Sequence, residues 1–132
     1  MPAPPAPDPL VLVVEDNPAN LLLVQAVLKR SGYQLASARS AEEAESLLRS
    51  IRPYVILMDV RLPGEDGLSL TKRLKSDPAT ASIPIVALTA YAMRGDEQAA
   101  LAAGCNGYLT KPIDTTRFAD QLRTILEASS RS

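Results

Sequence analysis

The chain has 132 residues, of which 46% are hydrophobic and 22% charged, and this balance predicts one globular domain with an ordinary apolar core. The net charge is −1 and Lys and Arg never occur in runs longer than two, which argues against a nucleic-acid-binding surface. The absence of histidine excludes histidine-based catalysis, a histidine-ligated zinc ion and a role as a phosphohistidine donor. The single cysteine, Cys105, excludes an internal disulfide and fits a reducing compartment.

The two ends of the chain are predicted to lie outside the folded domain. Residues 1–8 are rich in proline and alanine and contain no basic residue, so they are typical of a disordered tail or linker and not of a signal peptide. Residues 129–132 are predicted to form a second disordered tail, which leaves 9–128 as the domain. No apolar run approaches the ~20 residues of a membrane span, so we expect a cytoplasmic protein without membrane contact.

Short β-branched apolar runs alternate with longer segments of helical spacing along the rest of the chain. The runs predict strands at 10–14, 34–38, 54–58, 85–88 and 107–109. Between and after them, helices are predicted at 18–30, after residue 40, at 66–75, at 93–103, and in a last segment with apolar residues at 118, 122, 125 and 126.

The second of these helices has a recognisable start. Ser40 and Glu43 have the spacing of a capping box, in which the serine side chain accepts a hydrogen bond from the first turn. The apolar stripe of the helix is predicted to consist of Ala44, Leu47, Leu48 and Ile51.

The alternation of strands and helices predicts an α/β fold, a doubly wound (βα)5 parallel sheet. The strands lack the in-out alternation of a half-exposed sheet, so helices are expected to cover both faces through right-handed crossovers. In such sheets ligands bind outside the carboxyl ends of the strands. The residues that follow each strand are therefore the candidates for function.

Four of the five strand ends carry polar side chains. Glu15 and Asp16 follow the first strand, Asp59 the third, Thr89 the fourth and Lys111 the fifth. Taken singly, each has an ordinary structural explanation: acids at a helix start, an Asx turn, a strand-end threonine and a solvated lysine.

Brought to one edge of a sheet, the same side chains predict a site. Three neighbouring carboxylates repel one another unless their pKa values rise or a cation joins them. An all-oxygen set suits Mg²⁺, with Mn²⁺ as a substitute. An ammonium and a hydroxyl beside the cation would bind an anion, and the combination indicates a phosphoryl group.

Four separated motifs resemble those of the receiver domain of two-component response regulators. They are "VVEDN" at 13–17, "ILMDVRLPGEDGL" at 56–68, "ALTAYA" at 87–92 and "GYLTKPI" at 107–113. The resemblance covers residues 9–127. It implies a flavodoxin-like sheet with the strand order 2-1-3-4-5.

The resemblance also implies a role for each site residue. Asp59 would be the phosphoacceptor, and Lys111 would pair with the phosphoryl group. The peptide bond between Lys111 and Pro112 would be cis, which would aim the lysine into the site. The metal ligands would be Asp16, Asp59 and the main-chain carbonyl of Arg61, with Glu15 acting mainly through a metal-bound water. Thr89 and Tyr108 would form the conformational switch, and the lifetime of the phosphoryl group would be tuned by Arg61 and Tyr91.

The implied function is signalling by phosphoryl transfer. A phosphohistidine on a histidine kinase or histidine phosphotransfer protein would supply the group, and a downstream protein would recognise the switched face around the fourth helix, fifth strand and fifth helix. The protein would assist its own phosphorylation and dephosphorylation without being a turnover enzyme. It would be a monomer or a phosphorylation-dependent dimer.

Four interpretations stay open at this point. The domain could be a single-domain regulator of the cell-cycle and polarity type, or a receiver segment of a hybrid histidine kinase or other multidomain regulator. It could be a pseudo-receiver that binds partners without phosphorylation, although such proteins usually lack a residue of the acidic set or the lysine. A haloacid-dehalogenase-like phosphohydrolase would need a general acid two residues after Asp59, where this chain has Arg61.

Overall fold

The computed structural model describes residues 9–62, 64–89, 94–111 and 113–130. Strands and helices alternate strictly along these residues. The strands are β1 (Leu10–Val14), β2 (Gln34–Ala38), β3 (Val55–Asp59), β4 (Ile85–Thr89) and β5 (Gly107–Thr110). The helices are α1 (Pro18–Arg30), α2 (Ala41–Leu48), α3 (Gly67–Ser76), α4 (Arg94–Ala103) and α5 (Phe118–Ser130).

The strands form one parallel sheet in the order β2-β1-β3-β4-β5, which confirms the predicted flavodoxin-like topology. The strand order reverses between β1 and β3, which are hydrogen-bonded neighbours. In the register of the sheet, Val14 lies beside Met58, Asp59 beside Leu88 and Thr89 beside Thr110. The carboxyl ends of four strands are therefore level, and the residues there share one edge.

Each face of the sheet is covered by its own apolar cluster. Alternate residues of the strands enter opposite clusters because neighbouring side chains of a strand point to opposite faces. One cluster joins the sheet to α1 and α5 through Val24, Val27, Leu28, Phe118, Leu122 and Leu126. The other joins it to α2, α3 and α4 through Ala41, Ala44, Leu70, Leu74 and Ala100.

The structure differs from the sequence-based boundaries in small ways. Residue 51, predicted as part of the stripe of α2, lies beyond the end of that helix at Leu48. Ser40 caps α2 as predicted, its hydroxyl accepting from the N–H of Glu43. The helix α5 runs to Ser130, two residues past the predicted domain end at 128. Among the described helices, none has the length and apolarity to cross a bilayer.

Candidate functional site

The carboxylates of Glu15 and Asp59 meet the ammonium of Lys111 at the carboxyl edge of the sheet. The Lys111 Nζ atom lies 2.8 Å from Glu15 Oε1 and 3.1 Å from Asp59 Oδ2. Both carboxylates are buried, with residue exposures of 1% for Glu15 and 5% for Asp59. Lys111 thus acts as the counter-ion of two carboxylates, whereas the sequence predicted it only as a partner for an incoming anion.

The backbone holds both carboxylates in place. Asp59 is the last residue of β3, and its Oδ1 accepts a hydrogen bond of 3.0 Å from the N–H of Arg61. The Oε2 atom of Glu15 accepts one of 3.3 Å from the N–H of Asn17. The side chain of Asn17 in turn caps α1, accepting from Ala19 N and Asn20 N. The start of α1 is therefore tied to the acidic edge.

Asp16 completes a group of carboxylates that fits a cation. One oxygen each from Glu15, Asp16 and Asp59 lies within 4.8 Å of the others, with Asp16 exposed to solvent. The buried Oε1 of Glu15 accepts no hydrogen bond from the described residues, although Lys111 lies beside it. A hard cation with oxygen ligands and retained waters suits this donor set, and the predicted ligands Glu15, Asp16 and Asp59 are brought together.

Burial is the main influence on the ionisation of this site. It raises the pKa of Glu15 to about 7, and the adjacent Asp59 carboxylate adds to the rise while Lys111 opposes it. Burial lowers the pKa of Lys111, but its contacts with Glu15 and Asp59 outweigh that effect and raise the pKa overall. One cation against three carboxylates leaves the site short of positive charge, which favours binding of a further cation.

The raised pKa of Glu15 predicts how the stability of the metal-free protein depends on pH. Between the ordinary value of 4.5 and about 7, the folded state binds a proton at Glu15 that the unfolded chain has released. The free energy of unfolding therefore falls as the pH rises through this window, by roughly 3 kcal/mol at most. Urea unfolding in the presence of a chelator, at a series of pH values, measures this fall.

The substitution Glu15→Gln isolates the effect, because the amide cannot titrate. We expect the variant to lose the part of the fall that belongs to Glu15, so its stability relative to the unaltered protein increases with pH. The exposed Glu42, which does not line the cavity at this site, provides a matched control: only a change of the pH profile that Glu42→Gln does not share is assigned to Glu15. An identical pH profile for Glu15→Gln and the unaltered protein would show that Glu15 keeps its ordinary pKa.

The site opens into a cavity of about 320 Å³. Its lining includes the six described residues that the sequence assigned to metal binding or phosphoryl transfer: Glu15, Asp16, Asp59, Arg61, Thr89 and Lys111. Three further residues line it as well: Asn17, Asn20 and Val60. Asn17 follows the two acids and was within the quoted motif. Asn20 was missed, and the only signal in the sequence is a polar residue in the first turn of a helix that follows an acidic strand end.

Thr89 and Tyr108 lie on neighbouring strands and on the same face of the sheet. Thr89 is buried and is the last residue of β4, whereas the sequence predicted it as the first residue after that strand. Tyr108 lies beside Ala87, and Ala87 and Thr89 share a face because they are two residues apart. Tyr108 is half-buried against the cluster under α3 and α4. The predicted residues Tyr91 and Pro112 lie outside the described residues.

The fold and the acidic edge together define a receiver domain. Residues 11–123 match the response regulator receiver domain family, and the chain belongs to that family. The sequence-based resemblance is thereby confirmed. The chain is thus a two-component signalling protein and not a classical turnover enzyme.

Individual relatives agree with this assignment. The polar-differentiation response regulator DivK of Brucella anthropi is 42% identical over 116 residues, which are 88% of this chain and 94% of the relative. The receiver domain of the sensor histidine kinase PA1611 from Pseudomonas aeruginosa PAO1, solved with magnesium coordinated in its active-site cleft, is 36% identical with a TM-score of 0.80 over 95% of this chain and 99% of that one. The Mn²⁺-bound form of the response regulator Rcp1 is 32% identical with a TM-score of 0.76 over 89% and 91% of the two chains.

Proposed function

We propose that Asp59 accepts a phosphoryl group from a phosphohistidine of a partner kinase or histidine phosphotransfer protein. The observation that carries this proposal is the position of its carboxylate. Asp59 ends a buried strand, faces a cavity beside two further carboxylates, and has its Oδ2 held 3.1 Å from Lys111. A strand end fixes the direction of a nucleophile more firmly than a loop would.

Glu15, Asp16 and Asp59 would hold Mg²⁺, or Mn²⁺ in its place, with the carbonyl of Arg61 as a further ligand. The fit of the three carboxylates supports this assignment, as do the bound ions of the PA1611 receiver and Rcp1. When bound, the cation neutralises charge that develops on the transferred phosphoryl oxygens.

The residues of the chain position the transfer. A carboxylate oxygen of Asp59 attacks phosphorus, forming an O–P bond as the P–N bond to histidine breaks and its electron pair returns to the imidazole. Lys111 moves from its two carboxylate partners to a phosphoryl oxygen and neutralises it. Hydrolysis then removes the phosphoryl group: the oxygen of a water molecule attacks phosphorus as the O–P bond to Asp59 breaks. The products are inorganic phosphate and the free Asp59 carboxylate. Arg61, which is exposed and lines the cavity, and Tyr91 would tune the rate of that step.

Thr89 and Tyr108 would convert the chemistry into a signal. Thr89 lines the same cavity as Asp59, and its hydroxyl would donate a hydrogen bond to a phosphoryl oxygen. Tyr108 shares its face of the sheet and would follow it inward, which alters the surface of α4, β5 and α5. Such a shift needs two packings of close free energy, one of them favoured by the phosphoryl group.

The surface altered in this way would bind a downstream protein. The protein itself would act as a monomer or as a phosphorylation-dependent dimer.

A single-domain regulator of the polarity type is favoured over a receiver segment of a hybrid kinase by the 42% identity to DivK, against 36% to the PA1611 receiver. The convergence of the complete acidic set with Lys111 argues against a pseudo-receiver, and the family match argues against a phosphohydrolase.

Phosphorylation by a small donor tests the proposal. The purified protein, incubated with acetyl phosphate and Mg²⁺, should gain the mass of one phosphoryl group, and the adduct should be lost on treatment with hydroxylamine, as acyl phosphates are. A chelator should prevent its formation. If acetyl phosphate, a phosphohistidine donor and beryllofluoride all leave the protein unaltered, the proposed function is wrong and a pseudo-receiver takes its place.

A further inference from the structure

The side chain of Asn20 has no evident structural task. Asn20 occupies the third position of α1, where a polar side chain often closes a capping box by accepting the N–H of the N-cap residue. Here that N–H, from Asn17, already donates to Glu15 Oε2. The N-cap function is filled as well, because the Asn17 side chain accepts from Ala19 N and Asn20 N. Asparagine is also a weak helix former, so local structure gives no reason for it here.

Asn20 nevertheless lies at the site. It lines the same cavity as Glu15, Asp16 and Asp59 and is half-buried there. Within the described ranges of the chain, its amide group has no hydrogen-bond partner. A partly buried amide without partners beside a group of carboxylates is available to a ligand of that site.

The topology decides which part of the site Asn20 serves. The sheet order places β1, which leads into α1, beside β3 and away from β4 and β5. The three carboxylates come from the ends of β1 and β3, whereas Thr89 and Lys111 come from β4 and β5. Asn20 therefore lies on the β1 side of the cavity, directly after the strand end that supplies Glu15 and Asp16. Thr89 and Lys111 start from the more distant strands, although the Lys111 side chain reaches across to Glu15.

We propose that Asn20 is a positioning residue for the cation, with its Oδ1 atom accepting a hydrogen bond from a water molecule of the bound Mg²⁺. Mg²⁺ retains several waters in proteins, and those waters need acceptors around the site. An amide provides an acceptor without adding a fourth negative charge beside the carboxylates. This inference rests on the proposed function of the site, of which it specifies the cation-binding part.

Titration calorimetry of the chelator-treated protein with Mg²⁺ tests the role of Asn20. We expect Asn20→Ala to raise the Kd for Mg²⁺ roughly tenfold, the low end of the effect of losing an outer-shell partner. Asn20→Asp should bind Mg²⁺ at least as tightly as the unaltered protein, because a carboxylate also accepts from the water and adds attraction. Urea unfolding without metal should show Asn20→Ala to be as stable as the unaltered protein or more so.

Gln25 is the matched control, since it is the other amide of α1, is also half-buried, and does not line the cavity. Gln25→Ala should leave the Mg²⁺ affinity unchanged. An unchanged affinity in Asn20→Ala would overturn the proposal, as would an equal loss in both variants. Absence of saturable Mg²⁺ binding by the unaltered protein would overturn both this proposal and the cation site. Mg²⁺ binding by a protein that acetyl phosphate, a phosphohistidine donor and beryllofluoride all leave unaltered would overturn the proposed function alone.

Discussion

Asp59→Asn should abolish phosphoryl transfer to this protein while leaving the fold intact. The amide oxygen is a far weaker nucleophile than a carboxylate, and the variant also withdraws one anionic ligand from the cation. The described cavity contains two other carboxylates, but Glu15 is buried in its ion pair with Lys111 and Asp16 lies at the exposed end of the group. Neither replaces a carboxylate whose Oδ1 and Oδ2 atoms are both fixed, by Arg61 N and by Lys111.

The expected result is the loss of the phosphoryl adduct from the intact mass, measured with acetyl phosphate and Mg²⁺. Asp66→Asn is the matched control. Asp66 lies in the loop that follows Asp59 and caps α3, its side chain accepting a hydrogen bond from Ser69 N. Asparagine caps a helix equally well, so the substitution removes a carboxylate without removing the cap. This control should be phosphorylated like the unaltered protein. The free energy of unfolding of Asp59→Asn should not fall, since one carboxylate fewer reduces the repulsion at the site. A full adduct on Asp59→Asn would place the phosphoacceptor elsewhere.

The sequence predicts the sheet because its signals are local. Each strand is a short apolar run, so strand and helix positions follow from composition within the run, with errors of one or two residues at the ends. Such an error moved Asp59 and Thr89 from just after their strands to the last strand residue. The edge position of both residues survives this shift, because the carboxyl ends of parallel strands stay level in the register.

The details of the site depend on distances that no local pattern contains. That three carboxylates lie together follows from topology, but the sharing of Lys111 between Glu15 and Asp59 depends on the side-chain conformation of the lysine. Asn20 escaped prediction for a related reason. Its significance comes from the absence of capping partners, which becomes visible only when the hydrogen bonds of Asn17 are known.

Gly67 is a second residue whose importance only the folded chain reveals. It begins α3, eight residues after Asp59, and its N–H donates to Val60 O. A Cβ atom at this position would overlap the carbonyl oxygen of Asp59 and lie 3.0 Å from both its carbonyl carbon and the Cγ atom of Met58. The backbone of Asp59 therefore packs directly on the α carbon of Gly67, and no side-chain rotation could relieve the overlap with a main-chain oxygen.

Gly67→Ala should accordingly lower the free energy of unfolding by about 3 kcal/mol, the upper part of the range for overpacking a core. Because the overlap can be relieved only by moving α3 or the end of β3, the folded fraction should also show weaker Mg²⁺ binding and slower phosphorylation by acetyl phosphate. Urea unfolding and the rate of adduct formation, normalised to folded protein, measure the two effects.

Gly32→Ala separates this steric effect from the general cost of replacing a glycine. Gly32 lies just beyond the end of α1 and does not line the cavity. It has a φ of 92° and open space around its α carbon. Its alanine variant should lose about 1 kcal/mol through backbone strain alone and keep the phosphorylation rate of the unaltered protein. If Gly67→Ala matches Gly32→Ala in both stability and rate, the contact with Asp59 does not constrain the site. A specific loss of rate in Gly67→Ala would instead show that the phosphoacceptor is positioned by the close packing of α3 on the end of β3.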